Sequence, residues 1–213
     1  MSPRPRTITD EALLTAVHRV VNRLGPHLTL TDVAKEAGVS PAMLVQRFGS
    51  KRGLLLAFAS LAAEGTDEEF AAIRQKHPDP IDALREFVRC FAQMASSPEA
   101  VSNGLAFLQV DLSDPEFHQY SLAQARATLE EIKKSLDQAV KDGIIVRCDT
   151  ARLAFALNAM IGGAMVSWAV LRDGTAEDAM QQSVDMLIRP YLTPSGAKRK
   201  PPTRTKLRRQ PLV

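Results

Sequence analysis

The chain is 213 residues long with 45% hydrophobic, 24% charged and only 5% aromatic residues, which excludes a collagenous or wholly disordered chain and favours helices over β-branched strands. Its two cysteines, Cys90 and Cys148, lie outside any C-x-x-C spacing, which excludes a disulfide framework or a cysteine–zinc module and suits a reducing compartment, with the cytoplasm expected. The formal charge of +3 conceals three segments: residues 1–53 carry net +4, residues 54–193 net −8, and residues 194–213 net +7. Basic ends on an acidic body point to a polyanionic partner for the ends.

In chain order, the apolar stripe Leu13, Leu14, Val17, Val20, Val21 and Leu24 predicts a first helix over about 10–24, with Thr9 as its N-cap and Gly25-Pro26 as its stop. Thr29 with Asp32 three residues on has capping-box spacing and opens a short helix that Gly38 closes. Ser40-Pro41 starts a third, pairing an N-cap hydroxyl with proline at the first helical position. Ser50 caps a fourth, which is expected to continue past Gly65 to about residue 76. Beyond His77-Pro78-Asp79-Pro80 the pattern changes to long amphipathic helices near 81–95, 98–110, 115–142, 150–172 and 176–192. The sequence thus predicts an all-α protein of about nine helices. Its expected domains are an N-terminal head over 1–53, a larger helical domain over 77–193, and a disordered basic tail over 194–213.

Residues 29–48, TLTDVAKEAGVSPAMLVQRF, carry the most specific signal. Two helices of about two turns flank Gly-Val-Ser, with Ala34 small where the helices meet, Gly38 at the left-handed position, Val39 plugging the turn and Leu44 facing inward. This is helix-turn-helix spacing, although spacing alone also fits an αα-corner. The net positive head and Lys51 at a helix start favour the DNA-binding reading.

Residues 10–61, through the run TLTDVAKEAGVSPAMLVQRFGSKRGLLLAF, resemble the DNA-binding domain of the TetR (tetracycline-repressor-like) family of transcriptional regulators. That resemblance implies a sequence-specific, ligand-responsive repressor acting as a homodimer on palindromic double-stranded DNA. It also implies a recognition helix from Pro41 to Phe48, with Ser40, Pro41, Ala42, Met43 and Gln46 facing DNA and Thr29, Thr31 and Lys51 meeting phosphates. Where the family commonly has Tyr and His before the Phe, this chain has Val45 and Arg47, so Arg47 is expected to supply a phosphate contact.

Past the head, bulky residues recur in the middle helices. An apolar small-molecule effector, as the family implies, is expected near Phe87, Phe91, Met94, Phe107 and Trp168, with Gln109, Asn103, Asn158 and Tyr120 as polar anchors, although bulky residues at helical spacing are more often core than ligand contacts. Ala159, Gly163 and Ser167 recur at i, i+4 and i+8 and, with Gly162, offer a small face for close pairing of two copies. The uncharged run 153–171 is long enough to span a bilayer, yet its Ala and Gly content and Asn158 favour a buried helix, and no membrane association is expected. No catalytic triad, phosphate loop or metal-ligand spacing is present, so neither an enzyme nor a cofactor or metal is expected. The rival readings are an all-α small-molecule-binding protein or enzyme without DNA readout, and a membrane-anchored DNA binder.

Overall fold

The computed structural model describes residues 8–197. The described residues form an all-α architecture with two hydrophobic cores.

The first core is built by α1 (Asp10–Leu24), α2 (Leu30–Ala37), α3 (Pro41–Phe48) and the beginning of α4 (Lys51–Glu64). Each start is fixed locally. Thr9 accepts from the Ala12 amide at 3.2 Å, Ser40 from Met43 at 3.3 Å and Ser50 from Gly53 at 3.0 Å, satisfying amide groups that a helix N-terminus leaves unpaired. Thr29 and Asp32 form the reciprocal capping box. Leu13, Val17, Val20, Leu28, Val33, Leu44 and Leu54 are inaccessible to solvent and converge beneath these helices. Each such side chain stabilises the head by about 1.5–3 kcal/mol relative to exposure.

The second core belongs to α5 (Thr66–Lys76), α6 (Pro80–Ala92), α8 (Pro115–Lys141), α9 (Thr150–Leu171) and α10 (Ala176–Ile188), while α7 (Pro98–Ser113) bridges the two cores. Asp79-Pro80, Ser97-Pro98 and Asp114-Pro115 repeat the cap-then-proline start of α3. After α10 the chain returns beside the α8–α9 loop: Val146 donates to the Tyr191 carbonyl at 2.8 Å and Thr193 to that of Ile144 at 3.0 Å. Gly196 rests on Ile144, whose carbonyl oxygen lies 2.3 Å from where a Cβ would stand.

Two expectations, on the fourth helix and on the tail, need correction. The fourth helix ends at Glu64, and Gly65 separates it from α5, because Leu54 and Leu55 are claimed by the head core whereas Phe70 and Ile73 are claimed by the body core. Glu131 of α8 is 1% exposed and pairs with Arg74 of α5 and with Lys134 at 2.6 Å. Pro194–Ala197, expected to be disordered, form a short helical turn, α11; the remainder of the expected tail, 198–213, lies outside the described residues.

Candidate nucleic-acid interface

α2 and α3 are joined by Gly38, whose φ of 70° and ψ of 33° place it in the left-handed region that glycine occupies without penalty. Val39 then donates from its amide to the Ala34 carbonyl at 2.9 Å, closing the turn. Buried Ala34 and Leu44 lock the two helices at their crossing. Gly53 brings α4 against the end of α3, since a Cβ there would stand 2.0 Å from the Phe48 carbonyl oxygen. The turn spacing therefore builds a helix-turn-helix whose second helix is held from both sides.

Ser40, Pro41, Ala42 and Gln46 are exposed on α3, beside exposed Val45, and Met43 is half-buried against the head core. Thr31 is exposed at the start of α2, where unpaired helix amides concentrate positive potential. The Thr29 hydroxyl is engaged, donating to the Asp32 carboxylate at 2.6 Å. That bond and the Thr29 amide bond hold the Asp32 carboxyl below the ordinary carboxylate range.

Two cations behave differently from the sequence-based expectation. Arg47 turns back to α1: its Nε lies 2.5 Å from Asp10 Oδ1, and its Nη1 donates to the Ile8 carbonyl at 2.7 Å. Lys51 Nζ donates to the Pro26 carbonyl at 2.8 Å. Both therefore brace the head internally, because the three-helix packing brings an acceptor within reach of each. Arg19 and Arg23 of α1 likewise converge on Glu36 of α2, at 2.7 and 3.2 Å, and hold its carboxyl below the ordinary range.

The junction between head and body is a set of contacts that sequence reasoning missed. Phe117, in the first turn of α8, is 4% exposed and buried within the head core, where Phe107 and Val110 of α7 also pack. Arg52 of α4 closes over it: the guanidinium lies 5.3 Å from the Phe117 ring, donates to Asp114 at 2.5 and 3.0 Å, and pairs with Glu116. These bonds depress the Asp114 carboxyl to about 2. Asn103 of α7 donates to the Asn22 carbonyl at 3.0 Å, and a Cβ on Gly25 would stand 2.9 Å from the Asn103 side-chain oxygen. No local signal reveals these pairs, whose members lie 62 to 81 positions apart.

The residues expected to line an effector site do not converge. Phe87 stacks on Phe70 with ring centroids 4.4 Å apart, and Phe91 lies 6.1 Å from Phe87. Phe107 faces the head core, and Asn103 is spent on the head contact, so both leave the expected set. Met94 and Gln109 are exposed, Tyr120 and Asn158 are half-buried, and Trp168 packs on the edge of the body core while donating to the Gly174 carbonyl at 3.3 Å. Beside Phe87 the core leaves a void with about 10 Å³ open to the centre of a water molecule, room for about one water.

The small residues on α9 meet an unpartnered surface. Ala159, Gly163 and Ser167 are exposed, Gly162 is half-buried, and nothing stands within 4 Å of a Cβ built on either glycine. Around them Phe155 is 65% exposed and Val170 and Leu171 are each 75% exposed, with Met186 of α10 at 74%. Among the described residues α9 is the helix long and apolar enough to cross a membrane, but Leu153, Ala154, Leu157, Ile161 and Ala164 commit its other side to the body core.

A helix-turn-helix whose second helix is exposed, carried beside a second all-helical core, is the architecture of a DNA-binding regulator. Comparison with known proteins agrees. Residues 13–58 match the model of bacterial regulatory proteins of the tetR family, and residues 80–192, more than half of the chain, match the C-terminal domain of BetI-type transcriptional repressors. The chain therefore belongs to the TetR family of transcriptional regulators, with a C-terminal domain of the BetI repressor type. It is 26% identical over 201 residues to the HTH-type transcriptional regulator BetI of Agrobacterium fabrum, covering 92% of this chain and 94% of that one. The corresponding regulator of Rhizobium meliloti is 29% identical over 159 residues, covering 73% of this chain and 75% of its own. Among solved structures, a TetR transcription regulator from Haloarcula marismortui superposes with a TM-score of 0.71 at 18% identity, covering 86% of this chain and 98% of that one.

Proposed function

We propose that two copies pair through the exposed faces of α9 and α10, and that the resulting dimer represses transcription in the cytoplasm by binding a palindromic operator with its two heads. The carrying observation is that this chain exposes two separate faces: that of α3 with Ser40 and Gln46, on a helix-turn-helix, and an apolar surface on α9 and α10 that includes Phe155, Val170, Leu171 and Met186. Large contiguous apolar surface on a folded chain marks an interaction site. A two-fold pair presents its recognition helices to successive major grooves and doubles the base contacts. On α3, Gln46 is the residue suited to a bidentate base contact, Ser40, Pro41, Ala42 and Met43 approach base edges and backbone, Thr29 and Thr31 lie along the phosphates, and Lys51, held by the Pro26 carbonyl, has only its remaining N–H donors to offer a phosphate. Arg47 contributes by bracing α3 against α1.

The effector in this reading is a small, largely apolar molecule that opens the body core around Phe87 and Phe91. It acts by favouring a head spacing that no longer fits the operator, and only the difference between its affinities for the free and DNA-bound forms can release DNA. Because Phe107, Val110 and Phe117 are packed in the head core, motion of α7 and α8 reaches α1 and α4 directly.

The test is selection of duplexes from a random pool by the purified protein, with Gln46→Ala as control. A two-fold symmetric sequence bound by two chains, with discrimination against random duplex reduced by Gln46→Ala, supports the reading. Equal binding of all duplexes, unchanged by Gln46→Ala, refutes it.

A further inference from the structure

Every arginine of α1 to α4 is held by a carboxylate: Arg19 and Arg23 by Glu36, Arg52 by Asp114 and Glu116, and Arg47 by Asp10. Of these, Arg47 is the one that stands on α3. It lies about two turns along the helix from Ser40 and so starts from the same face as that exposed residue. Its side chain nevertheless runs back to the beginning of α1, where Nε lies 2.5 Å from Asp10 Oδ1 and Nη1 donates to the Ile8 carbonyl at 2.7 Å.

Both acceptors belong to fixed structure. Ile8 packs against the head core, and Asp10 is the first residue of α1, whose start is pinned by the Thr9 cap. The pair is also open to solvent, with the Arg47 side chain 32% exposed and that of Asp10 59%. An ion pair this open adds little to stability, so what it decides is where the guanidinium points. We propose that Asp10 is a gating residue for DNA: by holding Arg47 against α1 it withholds the cation of the recognition helix from the phosphate backbone and so keeps sequence-independent binding weak. The inference rests on the DNA-binding reading of the head.

An arginine left free on this face would take a phosphate readily, because a guanidinium donates to two oxygens at once. Each such contact releases counterions and strengthens binding to every duplex alike, including the large excess of competing DNA against which an operator must be found. With Arg47 withdrawn, the exposed polar groups of α3 are those of Ser40 and Gln46, whose hydrogen bonds can depend on the base they meet. The two acceptors act together. Asp10 supplies the opposing charge, and the Ile8 carbonyl fixes a second N–H of the guanidinium, so that a long flexible side chain keeps one direction.

The experiment titrates the full chain against a labelled random duplex at salt concentrations from about 50 to 200 mM and compares Asp10→Ala, Asp10→Asn, Arg47→Gln, the double variant Asp10→Ala with Arg47→Gln, and Glu11→Ala, with circular dichroism checking that each is folded. Removing Asp10 frees Arg47, so both Asp10 variants should bind the random duplex more tightly than wild type. The slope of log affinity against log salt should steepen by about 0.9 for each chain bound, so that the gain shrinks about 3.5-fold per chain between 50 and 200 mM. Arg47→Gln should keep the wild-type slope, and the double variant should match Arg47→Gln. Glu11→Ala removes an acid from the same helical turn and should leave the slope unchanged, which separates release of Arg47 from a general loss of negative charge. A slope flattened by about 0.9 per chain in Arg47→Gln would show that Arg47 already contacts phosphate in the wild type, overturning the inference. So would a gain in Asp10→Ala that persists in the double variant or is equalled by Glu11→Ala. Because the probe is random duplex, failure to select an operator leaves the outcome intact, whereas duplex binding by none of the variants would overturn the inference together with the DNA-binding reading.

Discussion

Phe117→Ala should weaken the DNA-binding head although it lies in α8, far along the sequence from α1 to α4. The ring is 4% exposed and packed in the head core, beneath the Arg52 guanidinium. Burying a phenylalanine removes roughly 150–250 Å² from water, worth about 4–6 kcal/mol at 25 cal/mol/Å². Phe→Ala truncations in cores cost about 3–5 kcal/mol once the cavity is included. Against a total stability of about 5–15 kcal/mol this is a large loss, and it should lower Tm by roughly 10 °C in a protein of this size. Urea denaturation measures the magnitude, and native-state hydrogen exchange locates it. Amides of α1 and α4 should exchange about 10²–10³-fold faster while those of α9 and α10 stay protected. A loss below about 1 kcal/mol, or faster exchange confined to α9 and α10, would refute the argument that α8 begins inside the head.

Gln46→Ala should reduce discrimination between selected and random duplexes by about 10- to 100-fold, the 1–3 kcal/mol of one bidentate base contact, while leaving Tm unchanged; fluorescence anisotropy on both duplexes checks it. Gly53→Ala should destabilise the head by about 1–3 kcal/mol and weaken operator binding, because its Cβ would stand 2.0 Å from the Phe48 carbonyl oxygen and must push α3 from α4. Phe155→Glu combined with Val170→Glu, at positions 65% and 75% exposed, should yield folded monomers by sedimentation and abolish cooperative operator binding. The Asp114 carboxyl, depressed from 3.8 to about 2 by Arg52, stabilises the folded chain fully above its ordinary value and loses that contribution as pH falls from 3.8 through 2. The stability difference between wild type and Asp114→Asn should accordingly shrink over that interval and vanish below it in acid titrations.

Much of the recognition element was legible in the sequence because its determinants are local. Thr29 with Asp32, Gly38 at the left-handed position and Ser40 before Pro41 each act within three residues, and the structure forms every one of them. The starts of α6, α7 and α8 follow the same cap-and-proline chemistry. The expected continuation of α4 failed because Gly65 carries no strong stop signal, and the break is dictated by two cores claiming opposite ends of one apolar run. Arg47 and Lys51 present a cation's charge in the sequence but not its acceptor, and the nearest acceptors proved to be Asp10, Ile8 and Pro26.

The sequence by itself determined the helices, their caps, the turn between α2 and α3, and the uneven distribution of charge, since each depends on neighbours a few bonds away. Only the tertiary structure decided that Phe117 and Phe107 complete the head core, that Arg52 holds Asp114, and that Glu131 is buried beside Arg74. It alone seated Gly196 on Ile144, just beyond the end of α8. The physical reason is that long-range partners are chosen by which faces bury together, and that choice is made by the whole packed chain rather than by any segment of it.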